Sequence, residues 1–394
     1  MPYSCDIPDD LDNDDVVFWT QSQSTIQQQL DLNTQIFSAC QASNPVQGTL
    51  VGTSFVARDM MQLVDALGGD GLLRYVGTYI FRTLKPSKCS GLAGVSYGTL
   101  IGDTVAAMFP DRMGRVILDG NVDPIDYYHG EYVQALLKYS LRLTSAYSYA
   151  DNFDDTDLAL AAFFDGCAKY PNLCNLTSAS NMTGAQLEQQ FLDHMDLLAK
   201  GNYSGPDAVQ VERVTFSSLY HPNQYRSLSA SLQKTYNRIT PTTTTNTTRR
   251  SLDPITNPPT KTLHQRAAEA SFIFKAIRCG DGRFGGVNLT VSDMEAILED
   301  YDPYDEKFLL EVVAANVKSC ANWPQRAKEI YSGNFNVQTK HGILYINSPY
   351  DPITPYSSAE KASALFPGSV ILTHNGYGVS HSLQPTSSLA YPSH

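Results

Sequence analysis

The residues best suited to chemistry are a serine and its flanking glycines, in the stretch Gly94-Val95-Ser96-Tyr97-Gly98. The pattern G-x-S-x-G fits a sharp turn from a strand into a helix. Such a turn exposes the serine hydroxyl for nucleophilic attack, and the glycines remove the clashes that it would otherwise create. The motif alone is weak evidence, because small residues are common and most matches are ordinary turns. The surrounding pattern must therefore decide whether Ser96 is a nucleophile.

The segments around the serine favour a specific architecture. Residues 99–109 have the apolar spacing of a helix and stop at Pro110, and residues 115–120 have the pattern of a short buried strand. Strand, serine turn, helix and strand in this order predict an α/β-hydrolase core with a mostly parallel sheet. Further helices are predicted over 15–40, 53–67, 133–143, 187–198, 267–277, 309–317 and 356–365, and further strands over 72–77, 342–347 and 369–373.

In an α/β-hydrolase the acid and then the base follow the serine along the chain. Asp351 comes directly after the strand 342–347, where an acid at the carboxyl end of a strand would lie; an ordinary Asp-Pro turn is the alternative. The base should follow the next strand, and the candidates are His374, His381 and His394. His374 comes too early to reach the serine, whereas His381 follows after a reasonable crossover length. A surface histidine without a catalytic role is the alternative for each.

The catalytic serine also needs donors for the oxyanion that forms in the transition state. The backbone N–H of Tyr97 is the predicted first donor. The sequence offers no convincing second donor, because Gly68-Gly69-Asp70-Gly71 fits a helix end better. No cofactor or metal is predicted, because zinc-type His and Cys spacings and phosphate-binding glycine loops are absent from the sequence.

The composition is that of a globular protein, with 42% apolar and 17% charged residues among 394. This length allows a large core or two domains. The net charge of −12 argues against a nucleic-acid partner, because phosphate binding needs clustered Lys and Arg. No run of about 18 apolar residues predicts a membrane span. A small peptide or ester substrate is the expected partner, and the sequence leaves the oligomeric state open.

Other features indicate a secreted protein. Seven cysteines are present, an odd count that leaves one thiol unpaired in an extracellular setting. The N-terminus has neither the basic start nor the apolar stretch of a signal sequence, so we expect the signal to lie outside this chain. Five N-glycosylation sequons occur, at Asn175, Asn181, Asn202, Asn246 and Asn288.

Composition divides the chain into three parts. Residues 125–270 are rich in aromatic residues, Ser, Thr and Asn, and they include a Thr- and Pro-rich tract at 240–248 that cannot bury much surface. We interpret this part as a mainly helical lid inserted into the hydrolase core. The first part of the core is then 1–124 and the second part is 271–394.

These motifs together resemble a known family. They are similar to the secreted α/β-hydrolases of the tripeptidyl- and prolyl-aminopeptidase type with a TAP-like C-terminal region, over nearly the whole chain. The resemblance implies Ser96 as nucleophile, Asp351 as acid, and cleavage of peptides from their N-terminal end. The stretches that carry it are 96–99, 109–113, 116–124, 351–355, 366–369 and 375–378.

The chain departs from the family pattern in its first hundred residues. In the family, upstream strands and a glycine- and proline-rich oxyanion loop precede the segment that matches 2–5. This sequence lacks them, so we expect it to begin late relative to the family's sequence. The family strand that matches 72–77 runs directly into the serine turn, so residues 78–94 are interpreted as an insertion and, by hypothesis, as a translated intron. Without Cys89 in that insertion, the resemblance allows the pairs Cys5–Cys40, Cys167–Cys174 and Cys279–Cys320.

A further departure concerns the base. The family histidine directly follows the Gly-Tyr-Gly stretch, where this chain has Val379, and His381 comes two residues later. Residues 379–394 are, by hypothesis, read-through from another intron, in which case His381 is a stand-in. Three functions stay open: an exopeptidase with an acyl-enzyme mechanism, a lidded esterase or lipase, and a catalytically impaired family member or glycoprotein binding module.

Overall fold

The structure, a computed structural model, describes residues 3, 5–6, 23–76, 95–129, 155–199, 208–239, 272–282, 288–300 and 320–379. The helices are α1 (Gln23–Ser43), α2 (Thr53–Leu67), α3 (Tyr97–Met108), α4 (Pro124–His129), α5 (Thr156–Lys169), α6 (Gly184–Ala199), α7 (Ala208–Leu219), α8 (Tyr225–Ile239), α9 (Val291–Asp300) and α10 (Tyr356–Leu365). The strands are β1 (Leu73–Val76), β2 (Val95–Ser96), β3 (Met113–Asn121), β4 (Ile343–Asn347) and β5 (Val370–Thr373). An additional helical segment covers 272–281.

Most predicted elements that fall within the described residues are confirmed. The helix 53–67 and the helix 356–365 have the predicted bounds, and the strands agree within a few residues. Helix α2 begins at Thr53, and its N-cap residue is Gly52. The predicted helices 133–143 and 309–317 lie outside the described residues, as does the start of the predicted helix 15–40.

All strand pairs are parallel, as a sheet with helical crossovers requires. The order is β1-β3-β4-β5, and β2 also pairs with β3. Because Asp119 of β3 pairs with both Val95 of β2 and Ile346 of β4, β2 lies on the edge of β3 opposite to β4. That edge is the one that β1 occupies.

The two short strands β1 and β2 are therefore aligned as halves of one strand. Val76, the last residue of β1, pairs with Ile117, and Val95, the first residue of β2, pairs with Asp119. Only the position opposite Leu118 separates them along β3. This register supports the interpretation that residues 78–94 interrupt a strand, because it leaves room for only one residue between the two halves.

Buried side chains form two clusters. One covers the sheet and includes apolar residues of α2, α3 and β3. The other joins α1 to α5, α6, α7 and α8 and to the turn at 320–323, where the ring of Phe37 meets that of Trp323 edge-on at 4.9 Å. The helices between 155 and 239 thus share a core with α1 and the turn at 320–323. The predicted start of the lid, residue 125, lies in α4, and its predicted end, residue 270, lies outside the described residues, so the lid stays a prediction.

Three disulfides confirm the pairing that the resemblance allows: Cys5–Cys40, Cys167–Cys174 and Cys279–Cys320. The last one ties the helical segment 272–281 to the turn at 320–323. In the described part of the chain, no helix has the length and apolar content needed to cross a bilayer.

Candidate active site

Ser96 stands at a strained turn between a strand and a helix. It ends β2 and precedes α3 with φ 52° and ψ −119°, a conformation that non-glycine residues rarely adopt. Within the described ranges Asn322 is the other non-glycine residue with positive φ. Strain of this kind costs about 1–3 kcal/mol and is found at functional sites, so the conformation agrees with the turn that the G-x-S-x-G pattern predicts.

Hydrogen bonds fix this turn on both sides. The Thr99 hydroxyl donates to the backbone oxygen of Ser96 at 2.6 Å and accepts the backbone N–H of Val122 at 3.0 Å. The Tyr75 hydroxyl donates to the backbone oxygen of Gly98 at 2.8 Å. The strained residue is therefore held by the ends of the neighbouring strands, while its own side chain is half-buried.

Tyr97, the predicted oxyanion donor, is the first residue of α3. The N–H groups of a first helical turn have no carbonyl partner inside the helix, and the helix dipole makes this end favourable for negative charge. This position suits an oxyanion beside Ser96. Its role stays a prediction, and the second donor remains unassigned.

Asp351 is fully buried in the loop that follows β4. Its Oδ1 accepts the backbone N–H groups of Ile353 at 3.1 Å and Thr354 at 2.9 Å, and its Oδ2 accepts the Thr354 hydroxyl at 2.8 Å. Burial raises the pKa of Asp351 from 3.8 to about 7, the Thr354 and Ile353 donors lower it, and the Asp119 charge raises it further. The carboxylate is thus held in a fixed orientation at a site that disfavours its charge.

The carboxyl ends of β2, β3 and β4 bring the serine turn and the acid loop to one edge of the sheet. Ser96 pairs with Asn121 of β3, and the Asn347 side chain at the end of β4 accepts the Asn121 backbone N–H at 2.8 Å. Two inter-strand spacings, about 10 Å, separate the axes of β2 and β4. A side chain that bridges the end of β3 would therefore connect the serine and the acid.

Position 379 lies beside the acid, against Gly120 at the end of β3. Gly120, at φ 66°, is closely approached at the end of β3: a Cβ there would meet the Thr354 hydroxyl at 3.1 Å, Val379 Cγ1 at 3.4 Å and Asp351 Oδ2 at 3.7 Å. Val379 is 2% exposed. An apolar side chain thus packs beside the acid where the resemblance places a histidine.

The structure locates only one of the candidate histidines. His374 follows β5, its backbone N–H donates to the backbone oxygen of Asn347 at 2.8 Å, and its ring lies against Gly376. His381 and His394 lie outside the described residues, so the assignment of His381 as base stays a prediction. In the described part of the chain, no group of His, Cys, Asp and Glu could hold a metal ion.

The helical part of the chain contacts the acid loop. The Thr156 hydroxyl at the start of α5 donates to the backbone oxygen of Pro352 at 2.7 Å, and Asp155 accepts the backbone N–H of Tyr356 at 2.7 Å. Burial, and then the Asp351 charge, raise the pKa of Tyr220, which follows α7. Helices predicted as a lid therefore border the site of the acid.

Thr99 and Thr354 have contacts at the site that the sequence did not predict. The contact with Thr354 could have been predicted, because an Asp three residues before a Thr can form an Asx turn, in which its carboxylate accepts backbone N–H groups of the same loop. No local pattern indicates that the Thr99 hydroxyl connects the serine turn to β3, since this contact depends on how α3 packs on the sheet.

Asp351→Asn should stabilise the protein relative to the wild type, and this gain in the free energy of unfolding should be larger at pH 8 than at pH 4. A folded-state pKa of about 7 against 3.8 means that folding disfavours the charged form. The resulting cost is absent below pH 4 and complete above pH 7; at about 1.4 kcal/mol per pKa unit it amounts to a few kcal/mol. An Asn keeps the Oδ1 bonds and can donate to Thr354 from Nδ2. Thermal unfolding of both proteins at the two pH values measures the difference; a gap that does not widen with pH would contradict the expected cost.

A strained serine after a parallel strand and a buried carboxylate after a later one, at the same sheet edge, agree with the α/β-hydrolase arrangement that the sequence predicts. Residues 306–390 match a family model described as "TAP-like protein". A stretch of 74 residues, 19% of this chain, is 42% identical to the "Serine protease Hip1" of Mycobacterium bovis and of Mycobacterium tuberculosis, and the match spans 11% of the length of these curated relatives. The C-terminal part of the chain is therefore similar to TAP-like hydrolases.

Proposed function

We propose that the protein is a secreted serine exopeptidase that releases single residues or short peptides from the N-terminal end of its substrates. The observation that carries the hydrolase chemistry is the strained Ser96 at the entry to α3, at the same sheet edge as Asp351. The serine-protease relative and the family resemblance favour peptide substrates over esters.

In this mechanism the imidazole of His381 removes the proton from Ser96 as its oxygen attacks the substrate carbonyl. The backbone N–H of Tyr97 stabilises the negative oxygen of the tetrahedral intermediate. The protonated imidazole then donates its proton to the leaving amine, which leaves an acyl-enzyme. Water, deprotonated by the same imidazole, hydrolyses that ester. Asp351 orients the imidazole and stabilises its positive form.

The helices between 155 and 239 favour short substrates. They contact the acid loop through Thr156 and Asp155, and the backbone oxygen of Tyr220 lies so close to Gly378 that a Cβ there would come within 2.7 Å of it. Because these helices are fixed beside the acid loop, they leave limited room at the site for a long peptide substrate. Removal from the free end of a peptide suits such a site better than cleavage within a folded protein.

A fluorophosphonate probe should label the wild-type protein and fail to label Ser96→Ala, since only an activated serine reacts with it. Ser363→Ala, in α10 and away from the site, is the matched control and should label as the wild type does. Labelling that persists in Ser96→Ala, or none at all in folded wild type, would rule the proposal out. Comparing turnover of amino-terminal peptide anilides with p-nitrophenyl esters separates a peptidase from an esterase.

A further inference from the structure

Asp281 is a buried carboxylate far from Asp351 in sequence that the proposed mechanism does not use. It is 1% exposed and lies at the end of the helical segment 272–281. Both of its oxygens accept the backbone N–H of Thr53, at 3.1 and 2.9 Å, and Oδ2 also accepts the Thr53 hydroxyl at 2.5 Å. Oδ2 accepts the Tyr127 hydroxyl as well, at 3.1 Å.

This carboxylate caps α2 from across the chain. The N-cap residue Gly52 has no side chain, and a Cβ there would come within 2.7 Å of Asp281 Oδ1. Two contacts hold Asp281 in place: the disulfide Cys279–Cys320 and the bond from the Ala327 backbone N–H to the oxygen of Gly280 at 3.1 Å. Burial raises the pKa of Asp281 to about 6, opposed by the donors of Thr53 and Tyr127, so the group is ionised at neutral pH and acts as an acceptor.

The network continues to the residue beside the nucleophile. The oxygen of the Thr53 hydroxyl lies 2.7 Å from that of Tyr97. A threonine hydroxyl has one proton, and an ionised Asp281 can only accept. The Thr53 proton therefore points to Asp281, and the Tyr97 hydroxyl donates to Thr53. The two bonds form a chain with a single direction, from Tyr97 through Thr53 to Asp281.

The ring of Tyr97 is also enclosed by aromatic neighbours. Its centroid lies 6.4 Å from that of Tyr127 and 6.1 Å, edge-on, from that of Phe274. Tyr127 thus lies next to Tyr97 and donates to Asp281 directly, whereas Tyr97 is linked to Asp281 through Thr53. The side chain of the first residue of α3 is fixed by contacts that come from α2, α4 and the segment 272–281.

We infer that Asp281 and Thr53 are positioning residues for the oxyanion site: they hold the Tyr97 side chain, and with it the backbone N–H beside Ser96. This inference rests on the proposed function for its catalytic consequence, because the N–H matters only if an oxyanion forms there. Donors aimed at an oxyanion act by being fixed before the reaction, and a displacement of about 1 Å can lower a rate by about a hundredfold.

Two single variants break the chain at different bonds. Tyr97→Phe removes one hydroxyl and leaves the backbone and ring, and Thr53→Val removes the bonds of the hydroxyl to both partners. We expect each to lower kcat about tenfold with KM within about twofold, and the double variant to lose little more than Thr53→Val alone. Thr53→Ser, which keeps the hydroxyl, should retain wild-type kcat.

Thr104→Val is the matched control. Thr104 is also buried, lies on α3 itself and shares a bond of 3.0 Å with a tyrosine hydroxyl, that of Tyr128. A loss of stability that merely follows from deleting a buried threonine hydroxyl would appear in this variant too. If kcat falls equally in Thr104→Val, or is unchanged in Tyr97→Phe, the inference is overturned.

Amide hydrogen exchange of residues 95–100, followed by mass spectrometry without substrate, gives a readout that does not depend on activity. Thr53→Val and Tyr97→Phe should accelerate exchange there about tenfold, and Thr53→Ser and Thr104→Val should not. Unchanged exchange in the first two variants would overturn the inference. If the wild type is neither labelled nor active, the proposed function fails, whereas the exchange result still decides whether these residues position the Tyr97 backbone.

Discussion

Deleting residues 78–94 should raise the melting temperature of the protein by about 5 °C and increase its labelling by a fluorophosphonate. The physical reason is the register of β1 and β2 on β3. Val76 pairs with Ile117 and Val95 with Asp119, so that Gly77 alone would fill the place opposite Leu118 and join the two strands. The deletion joins β1 directly to β2, and closing a connection of this length between two fixed strand ends costs about 2–3 kcal/mol in entropy.

The same deletion should favour the conformation of Ser96. In the continuous strand, the backbone that enters the strained turn is fixed by sheet hydrogen bonds up to Ser96 itself, which pairs with Asn121. In a control variant, a Gly/Ser linker of equal length replaces residues 78–94, which distinguishes the effect of the segment's length from that of its particular residues. Its melting temperature should equal that of the wild type and lie below that of the deletion variant. Thermal unfolding measures all three proteins.

A deletion variant that melts lower than the wild type, or does not fold, would show that the residues between β1 and β2 contribute contacts of their own. Sequencing the messenger RNA across codons 77–95 tests the origin of the segment independently. A transcript without these codons is expected if the segment is a retained intron, and uniform retention would refute that origin.

The second large effect that we expect is the loss of turnover when the proposed general base, His381, is replaced. His381→Ala should reduce turnover by at least about a hundredfold, because removing a general base costs about 10²–10⁴ in rate. Ser96→Ala sets the background rate, and His374→Ala is the matched control. His374 follows β5 and its ring lies against Gly376, so its replacement should leave turnover near that of the wild type.

Val379→His in the His381→Ala background should restore turnover. Val379 packs over Gly120, and its Cγ1 and Asp351 Oδ2 both lie within 4 Å of the place of a Cβ at that glycine. An imidazole at 379 would therefore lie beside the acid and towards the serine turn. Rescue by Val379→His but not by Val379→Asn would show that the proton-accepting ring, rather than a polar group, is what this position lacks.

Full activity in His381→Ala would contradict the assignment of that residue. If Val379→His is active while the wild type is not, the chain is a catalytically impaired hydrolase whose remaining site is intact. If neither is active although Ser96 is folded as described, position 379 does not bridge the acid and the serine.

Local patterns along the chain were enough to predict most of the helices and strands and the turn at Ser96. The helix 53–67 ends at Gly68-Gly69, and the helix 356–365 has the predicted bounds, because caps, breakers and apolar spacing are local signals. The G-x-S-x-G spacing predicted a strained turn, and Ser96 has the positive φ that such a turn requires. The six-cysteine pairing came from the family resemblance.

Contacts between groups that lie far apart in sequence depend on the fold as a whole. The alignment of β1 with β2 depends on a common partner, β3, and no pattern within either segment contains that register. The chain from Tyr97 through Thr53 to Asp281 joins three segments, and the bond between Thr53 and Asp281 spans 228 positions of sequence. Such contacts arise because packing of α2 and α3 on the sheet buries polar groups that must then find partners, and the partner is chosen by geometry rather than by spacing along the chain.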